Sequence, residues 1–396
     1  MDTHHIRTND NHCAEGLVKC QILHSRHTKA DRNSAYSVYM TTNTVETCCN
    51  VLTEVIGPQS ALVVTTPTVA RLYAKKLYEQ LRLHNDRTSY IELHCDEATK
   101  SIDQVLRVCE RAFEVGLDRT GLLIAIGGGV CTDIVTVAAS WIRRGIGHIR
   151  VPTTLIGQID AGIGIKGAVN FCGKKSSLGC FYPPQAAVIT PTFLQTLPHQ
   201  HLRAGFAEII KMAVVRDQHL FELVEGYAQE LLASGFTQPE GAAQEILWHS
   251  IVRMLEELEP NIYEDRTYKR LVDFGHTFSP ALEAVSEFSL SHGEAVAIDI
   301  ALSAVLANQL GLLSSEVSVR LLTLLLDVGL PVWSPLLTAD LCQRGLREMT
   351  LHRGGQPNLV VPIGIGEAIV LETPDLLHAP MEKAIQTLQG MPLRCT

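Results

Sequence analysis

Three side chains far apart in the chain have the types that hold a catalytic divalent metal: Glu208, His276 and His292. A catalytic zinc takes three protein ligands from His, Asp and Glu and keeps a coordination position open for substrate. Glu208 lies in the stretch AGFAEIIKMAVV, with Lys211 one helical turn further on. The alternative for that pair is an ion pair on a helix surface. His276 sits in DFGHTFSP and His292 in LSHGE, where Ser291 and Glu294 have Ser-x-x-Glu spacing. That spacing is a capping box, which fixes His292 in the first turn of a helix. The two histidines are too far apart to share a helical face and can meet only through tertiary packing. Taken singly, each has a structural role as its alternative.

Upstream, a second group has the marks of anion binding. An apolar strand runs into Gly127-Gly128-Gly129, followed by Pro152-Thr153-Thr154 and then by Asp160, Lys166, Asn170, Lys174 and Lys175. A helix is expected to begin near Asp133, a setting in which backbone amides meet a pyrophosphate. A plain tight turn is the alternative. The string Gly162-x-Gly164-x-x-Gly167 matches the dinucleotide fingerprint in letters but closes no first strand-to-helix turn, so it reads as a decoy. Arg144, Lys166, Lys174, Lys175, Lys211 and Arg270 are cations from which a local phosphate cradle could be built, with ordinary solvated side chains as the alternative.

These residues need elements to position them. At 396 residues the chain exceeds the size at which one core stops growing, so two domains of roughly 200 residues are expected. From Leu17 to Val188 short apolar strands such as Ala61–Thr65 and Leu122–Ile126 alternate with the expected helices Val69–Leu83 and Ile102–Val115, the pattern of a parallel sheet with crossover helices. After Pro191 the periods are long and helical: 202–215, 220–233, 241–258, 294–310 and 315–328. The expected layout is a mobile tail over residues 1–15, an α/β domain over 16–190 and a mainly helical domain over 191–396. The net charge of −9 argues against nucleic acid or an anionic membrane surface as the main partner. Apolar runs such as Ile298–Leu306, interrupted by Asp299, fall short of the ~20 residues of a membrane span. The odd count of 11 cysteines, without any Cys-x-x-Cys or leader pattern, points to reduced thiols in a cytoplasmic protein.

The strings GGGVCTDIVTVAAS, RRG, VPTTLIGQIDAGIGIKGAVN, GKK, AEIIK, DFGHTFSP and SHGEAVA, in this order, resemble the sugar phosphate cyclases, the superfamily of 3-dehydroquinate synthase. The likeness extends from about Leu17 to Leu388. It implies a Rossmann-like NAD-binding α/β domain followed by a helical metal-binding domain, usually in a homodimer. It implies Glu208, His276 and His292 as zinc or cobalt ligands. Around NAD it implies Glu97, Lys100, Gly128, Gly129, Asp133, Thr153, Thr154, Lys175, Thr196 and Leu197. It implies Asp160, Lys166, Asn170, Lys211 and Arg270 in the substrate pocket, with Arg144 reaching the phosphate site of the partner subunit.

Departures point to a branch. 3-Dehydroquinate synthase has Asn-Phe-Gly-His-x-x-Gly-His where this chain has Asp273 and Pro280, and lysines where it reads Arg253-Met254-Leu255 and His352-Arg353. Lost cations imply a substrate without the carboxylate of the dehydroquinate precursor. Asp273, Pro280 and His352 resemble the 2-epi-5-epi-valiolone synthases, which cyclise sedoheptulose 7-phosphate. Glu259 is more typical of desmethyl-4-deoxygadusol synthase, which uses the same substrate. Ser176 stands where the family has Asn, and Thr66-Pro67-Thr68 where an Asp usually follows the first strand. The implied reaction oxidises the C5 hydroxyl transiently with NAD, eliminates phosphate, returns hydride and closes the ring by an intramolecular aldol step. Asp273 and His352 would orient hydroxyls. A 2-epi-valiolone synthase, 3-dehydroquinate synthase, a metal-dependent polyol dehydrogenase and a catalytically silent NAD-binding regulator are the alternatives.

Overall fold

The computed structural model describes residues 6–8, 18–22, 36–41, 44–287, 289–352, 355, 358–372 and 378–391. They form two compact units that divide between Leu197 and Pro198. The short helix Pro191–Thr196, expected in the second domain, falls in the first unit.

Among the described residues the first unit has ten strands: β1 (Ile6–Thr8), β2 (Val18–Ile22), β3 (Tyr36–Met40), β4 (Ala61–Thr65), β5 (Thr88–Glu92), β6 (Leu122–Gly127), β7 (Gly147–Pro152), β8 (Lys166–Phe171), β9 (Lys174–Phe181) and β10 (Ala186–Ile189). Eight of them form one sheet in the order β1-β2-β3-β10-β7-β6-β4-β5, parallel from β3 to β5. β8 and β9 pair as a separate antiparallel hairpin. The runs ALVVT and LLIAI are buried along their whole length, as strands covered on both faces must be. Alternate residues point to opposite layers. Ala61 and Val63 pack with Cys48, Leu52 and Leu77 from helices 45–56 and 75–84. Leu62 and Val64 pack with Val105, Val108, Ile134 and Val135 from helices 102–114 and 129–141.

Within the expected tail, Ile6–Thr8 pair antiparallel with Val18–Ile22 at the edge of the sheet. The rest of residues 1–15 lies outside the described residues. The helix expected to begin near Asp133 begins at Gly129, with Gly128 as its extended N-cap. Burial of Cys131, Thr132 and Ile134 favours the longer helix despite its glycine start.

The second unit holds helices His199–Arg216, Gln218–Ala233, Glu240–Leu258, Ser279–Val285, His292–Gln309, Ser315–Asp327, Ala339–His352 and His378–Gln389. Most of His292–Gln309 is buried, so this helix forms the centre of the unit. A hairpin not foreseen in the sequence, β11 (Leu359–Gly364) with β12 (Glu367–Leu371), interrupts the helical pattern. Pro362 argues against a strand in the sequence, but a two-stranded ladder has an outer edge on which proline is tolerated. No described helix is long and apolar enough to cross a membrane. Cys48, Cys49, Cys95, Cys109, Cys131, Cys172, Cys180 and Cys342 are free thiols.

Candidate active site

In the second unit, packing brings Glu208, His276 and His292 together, with one donor atom from each lying within 4.8 Å of the others. Glu208, on helix His199–Arg216, is fully buried. Its Oε1 lies 3.2 Å from His292 Nε2 and 3.5 Å from His276 Nε2. His276 Nδ1 is 3.1 Å from the Phe274 carbonyl and His292 Nδ1 is 2.8 Å from Glu283 Oε1. Each Nδ1 therefore carries a proton and each Nε2 faces Glu208; His292 Nε2 donates a second proton to Glu208 Oε1, and that nitrogen becomes a ligand once the proton leaves. Acceptors behind the ring are how proteins orient metal-ligating imidazoles, so this donor set fits a divalent cation.

Local structure fixes each ligand. Ser291 and Glu294 form the expected capping box, which holds His292 at the first helical position. The next residue, Gly293, touches helix His199–Arg216: a Cβ there would lie 2.3 Å from Ala204 Cα. Only glycine lets the two helices meet so closely, four residues before Glu208. Asp299, buried within His292–Gln309, accepts from the backbone N–H groups of Phe278 (2.5 Å) and Ser279 (2.8 Å). It thereby ties the loop carrying His276 to the helix carrying His292.

The charges agree with a metal pocket. Burial works against the Glu208 carboxylate, but Lys211, His276 and His292 outweigh it and hold its pKa well below the usual range. Burial and the Lys211 charge pull His276 down to about 4. Burial also opposes the His292 cation, yet Glu208 and Glu283 raise its pKa to about 9. A metal would displace that proton. Lys211 Nζ lies 2.5 Å from Glu208 Oε2, and both side chains are buried, which overturns the alternative of a surface ion pair.

Two other residues expected in the pocket engage each other. Arg270 donates to both oxygens of Asp273, at 3.1 and 2.7 Å, and also pairs with Glu264. Arg253, where the family has a lysine, is bound by Asp217 and Glu256. Glu259 is buried in the turn after helix Glu240–Leu258. His352 ends the helix Ala339–His352, and its side chain lies outside the described residues.

In the first unit the expected cofactor residues gather beyond the carboxyl ends of the parallel strands. β6 lies between β4 and β7, so the chain reverses its direction of travel across the sheet there, where open α/β sheets bind ligands. Gly127 pairs with Pro152, which sets the glycine triplet beside Thr153 and Thr154. A Cβ on Gly128 would approach Thr154 Cγ2 to 3.0 Å, and the helix opening at Gly129 leaves amides for an anion. This backbone fits a pyrophosphate. Lys100 Nζ reaches Asp133 at 2.5 Å and Ser176 at 3.2 Å. Asn170 donates to the Glu97 carbonyl and accepts from Ser176 N–H, stitching the Glu97–Lys100 loop to the β8–β9 hairpin. Ser176 adopts φ 48°, left-handed geometry in which Asn is favoured over Ser. Thr196 bonds Tyr73 at 2.8 Å, and Leu197 follows directly. Lys175 and Lys166 are exposed, Asp160 is half-buried, and Arg144 is exposed on a left-handed turn with φ 68°. Gly162-x-Gly164-x-x-Gly167 leads from a turn into strand β8 and opens no helix.

Sequence reasoning missed three positioning residues: Glu283, Asp299 and Arg150. Arg150 is fully buried on β7 and donates to the carbonyls of Ala161 (2.9 Å), Gly164 (2.7 Å) and Lys166 (2.8 Å). It clamps the segment that carries Asp160 and Lys166. Arg150 and Asp299 each interrupt an apolar run, and a charge inside such a run must have partners; that signal was readable. Glu283 had none.

Family models agree with this anatomy: 3-dehydroquinate synthase N-terminal matches residues 90–204 and 3-dehydroquinate synthase C-terminal matches 205–348. A 2-epi-5-epi-valiolone synthase from Streptomyces glaucescens is 44% identical over 310 residues, covering 77% of this chain and 79% of that protein. One from Actinomyces sp. is 38% identical over 373 residues, covering 92% and 97%. A solved 2-epi-5-epi-valiolone synthase from Streptomyces hygroscopicus subsp. jinggangensis 5008, with NAD+ and Zn2+ bound, superposes with a TM-score of 0.84 at 39% identity, covering 92% of this chain and 99% of that one. The order of the motifs, the two-unit anatomy and these likenesses agree: the chain belongs to the 3-dehydroquinate synthase family of sugar phosphate cyclases.

Proposed function

We propose that this chain is a 2-epi-5-epi-valiolone synthase that converts sedoheptulose 7-phosphate to the cyclitol with release of phosphate, using NAD and one zinc or cobalt ion, as a cytoplasmic homodimer. The convergence of Glu208, His276 and His292 on one point carries the reading, and the names of the relatives agree with it. The pairing of Arg270 with Asp273 favours this substrate over the carboxylated one of 3-dehydroquinate synthase. A guanidinium already held by a carboxylate on both nitrogens has little left to offer a substrate carboxylate.

When bound, NAD supplies a temporary hydride acceptor and the divalent ion polarises the oxygens beside the carbon being oxidised. Glu208, His276 and His292 hold the ion. Glu97, Lys100, Gly128, Gly129, Asp133, Thr153, Thr154, Lys175, Thr196 and Leu197 hold the dinucleotide. Lys211, beside Glu208, stabilises negative charge that develops on a sugar oxygen. Asp160, Lys166, Asn170 and Arg144 bind the substrate and its phosphate, Arg270 holds Asp273 in place, and the departing phosphate serves as the base. Asp273 and His352 orient hydroxyls before ring closure.

Purified protein incubated with sedoheptulose 7-phosphate, NAD and zinc or cobalt is expected to give the cyclitol and phosphate, identified by NMR and mass spectrometry, without net change in nicotinamide absorbance. Stoichiometric reduced NAD would make the chain a polyol dehydrogenase. Turnover of the carboxylated seven-carbon substrate alone would make it a 3-dehydroquinate synthase. Asp273→Ala is expected to change the product distribution, and an unchanged distribution removes the role given to Asp273.

A further inference from the structure

A second cluster of metal-ligating side chains stands on the helical unit, on elements other than those that carry Glu208, His276 and His292. His219 is on helix Gln218–Ala233, while Glu245 and His249 are one turn apart on helix Glu240–Leu258. One donor atom from each lies within 4.8 Å of the other two. His219 Nε2 is 2.7 Å from Glu245 Oε1, and the two imidazoles meet edge-on with centroids 5.0 Å apart.

What separates this cluster from a chance group of surface charges is the carboxylate behind it. Asp217 is buried and bridges both helices: its Oδ1 accepts from Leu220 N–H, and its Oδ2 accepts from His249 Nδ1 at 2.8 Å and from Arg253 Nε at 2.8 Å. The bond to Asp217 places the proton on Nδ1 and leaves Nε2 of His249 as the lone pair. Glu283 holds His292 in the same way, at the same 2.8 Å. Arg253 is shared between Asp217 and Glu256, and Glu245 is the carboxylate in direct contact with His219. The His219 and Glu245 side chains are about half exposed, which leaves solvent access for the remaining coordination position.

We propose that His219, Glu245 and His249 form a second divalent transition-metal site, of the zinc class, that staples helix Gln218–Ala233 to helix Glu240–Leu258. Two imidazoles and a carboxylate suit zinc, whose ligands stand about 2.0–2.2 Å from the ion. The contact between His219 and Glu245 opens slightly to admit the ion. Because the ion binds the folded chain, it raises thermal stability without entering the reaction. The inference does not rest on the proposed activity.

The test is equilibrium dialysis of the holoenzyme against Zn2+, with bound metal counted by mass spectrometry and the melting temperature followed in parallel. Wild type is expected to take up one zinc beyond the ion held by Glu208 and to melt at a higher temperature with zinc. The His219→Ala/His249→Ala variant is expected to lose that extra zinc and the rise in melting temperature, while keeping the first metal and its activity. Glu245→Gln preserves size and an acceptor for His219, so its fold is safe; it is expected to weaken the extra zinc at least ~10-fold. No extra zinc on wild type overturns the proposal, as does an extra zinc that survives in the double variant or binds Glu245→Gln with unchanged affinity. Glu208→Ala separates the two centres, because it is expected to remove the first metal and leave the second.

Discussion

The helical unit contains two clusters with the same donor types, Glu208 with His276 and His292, and Glu245 with His219 and His249. In both, a carboxylate sits 2.8 Å behind one imidazole, and the ring centroids are 5.4 and 5.0 Å apart. They differ in what surrounds them. Glu208 is fully buried beside a buried lysine, whereas the side chain of Glu245 is 46% exposed. Water relaxes the charge of the second cluster, whereas in the first it reaches the two imidazoles and not the carboxylate. The same donor types therefore stand around a buried carboxylate in one place and around a solvated one in the other.

Glu208→Ala tests the difference most severely. It removes the carboxylate that faces the buried Lys211 and is expected to cost about 3–5 kcal/mol in denaturant unfolding. Turnover should fall at least ~1,000-fold with the metal gone. Glu245→Ala, in the exposed cluster, is expected to cost under about 1 kcal/mol in metal-free protein. Equal losses from the two changes would erase the distinction.

The pH dependence of the two supporting carboxylates should have opposite sign. Burial outweighs the hydrogen bonds from Phe278, Ser279 and Ser303 and raises Asp299 to about 6. A carboxyl whose folded pKa is raised favours the folded state fully below its unfolded value near 3.9, and loses that support as pH rises through 6. Relative to wild type, Asp299→Asn is thus expected to gain up to about 3 kcal/mol between pH 4 and pH 8. Burial also opposes the Asp217 carboxylate, but Arg253 and His249 hold it down to about 2. Its contribution is present above about pH 4 and is lost as pH falls toward 2, so Asp217→Asn should close its stability gap only in acid.

A smaller effect sharpens the parallel between the orienting carboxylates. Glu283→Gln is expected to weaken metal binding at the buried centre about 10–100-fold, measured by competition with a chelator, with little change in fold. An unchanged affinity would mean that Glu283 does not orient His292.

The contrast also shows why some of this was legible in the sequence. Buried strands β4 and β6 read directly from ALVVT and LLIAI, and the capping box predicted the start of the His292 helix. Both are local patterns. The first turn of helix Gly129–Trp141 was not legible, because its glycine start argues against helix and only packing reverses that preference. Nor was the hairpin β11–β12, since Pro362 masks a strand. The resemblance supplied Glu208, His276 and His292 as a set, but the orienting groups Glu283 and Asp299 are set by tertiary contacts; only the Phe274 carbonyl, two residues before His276, is local. The His219 cluster went unread for the same reason: no short motif joins residues on two helices.

The touching backbones at Gly293 and Ala204 have a consequence of their own. Where main chains abut, the span from Glu208 to His292 is limited by backbone contact and depends little on the size of neighbouring apolar side chains. The bite of the pocket is thereby insulated from changes in the surrounding core, and sequence variation can retune the substrate without altering the grip on the ion.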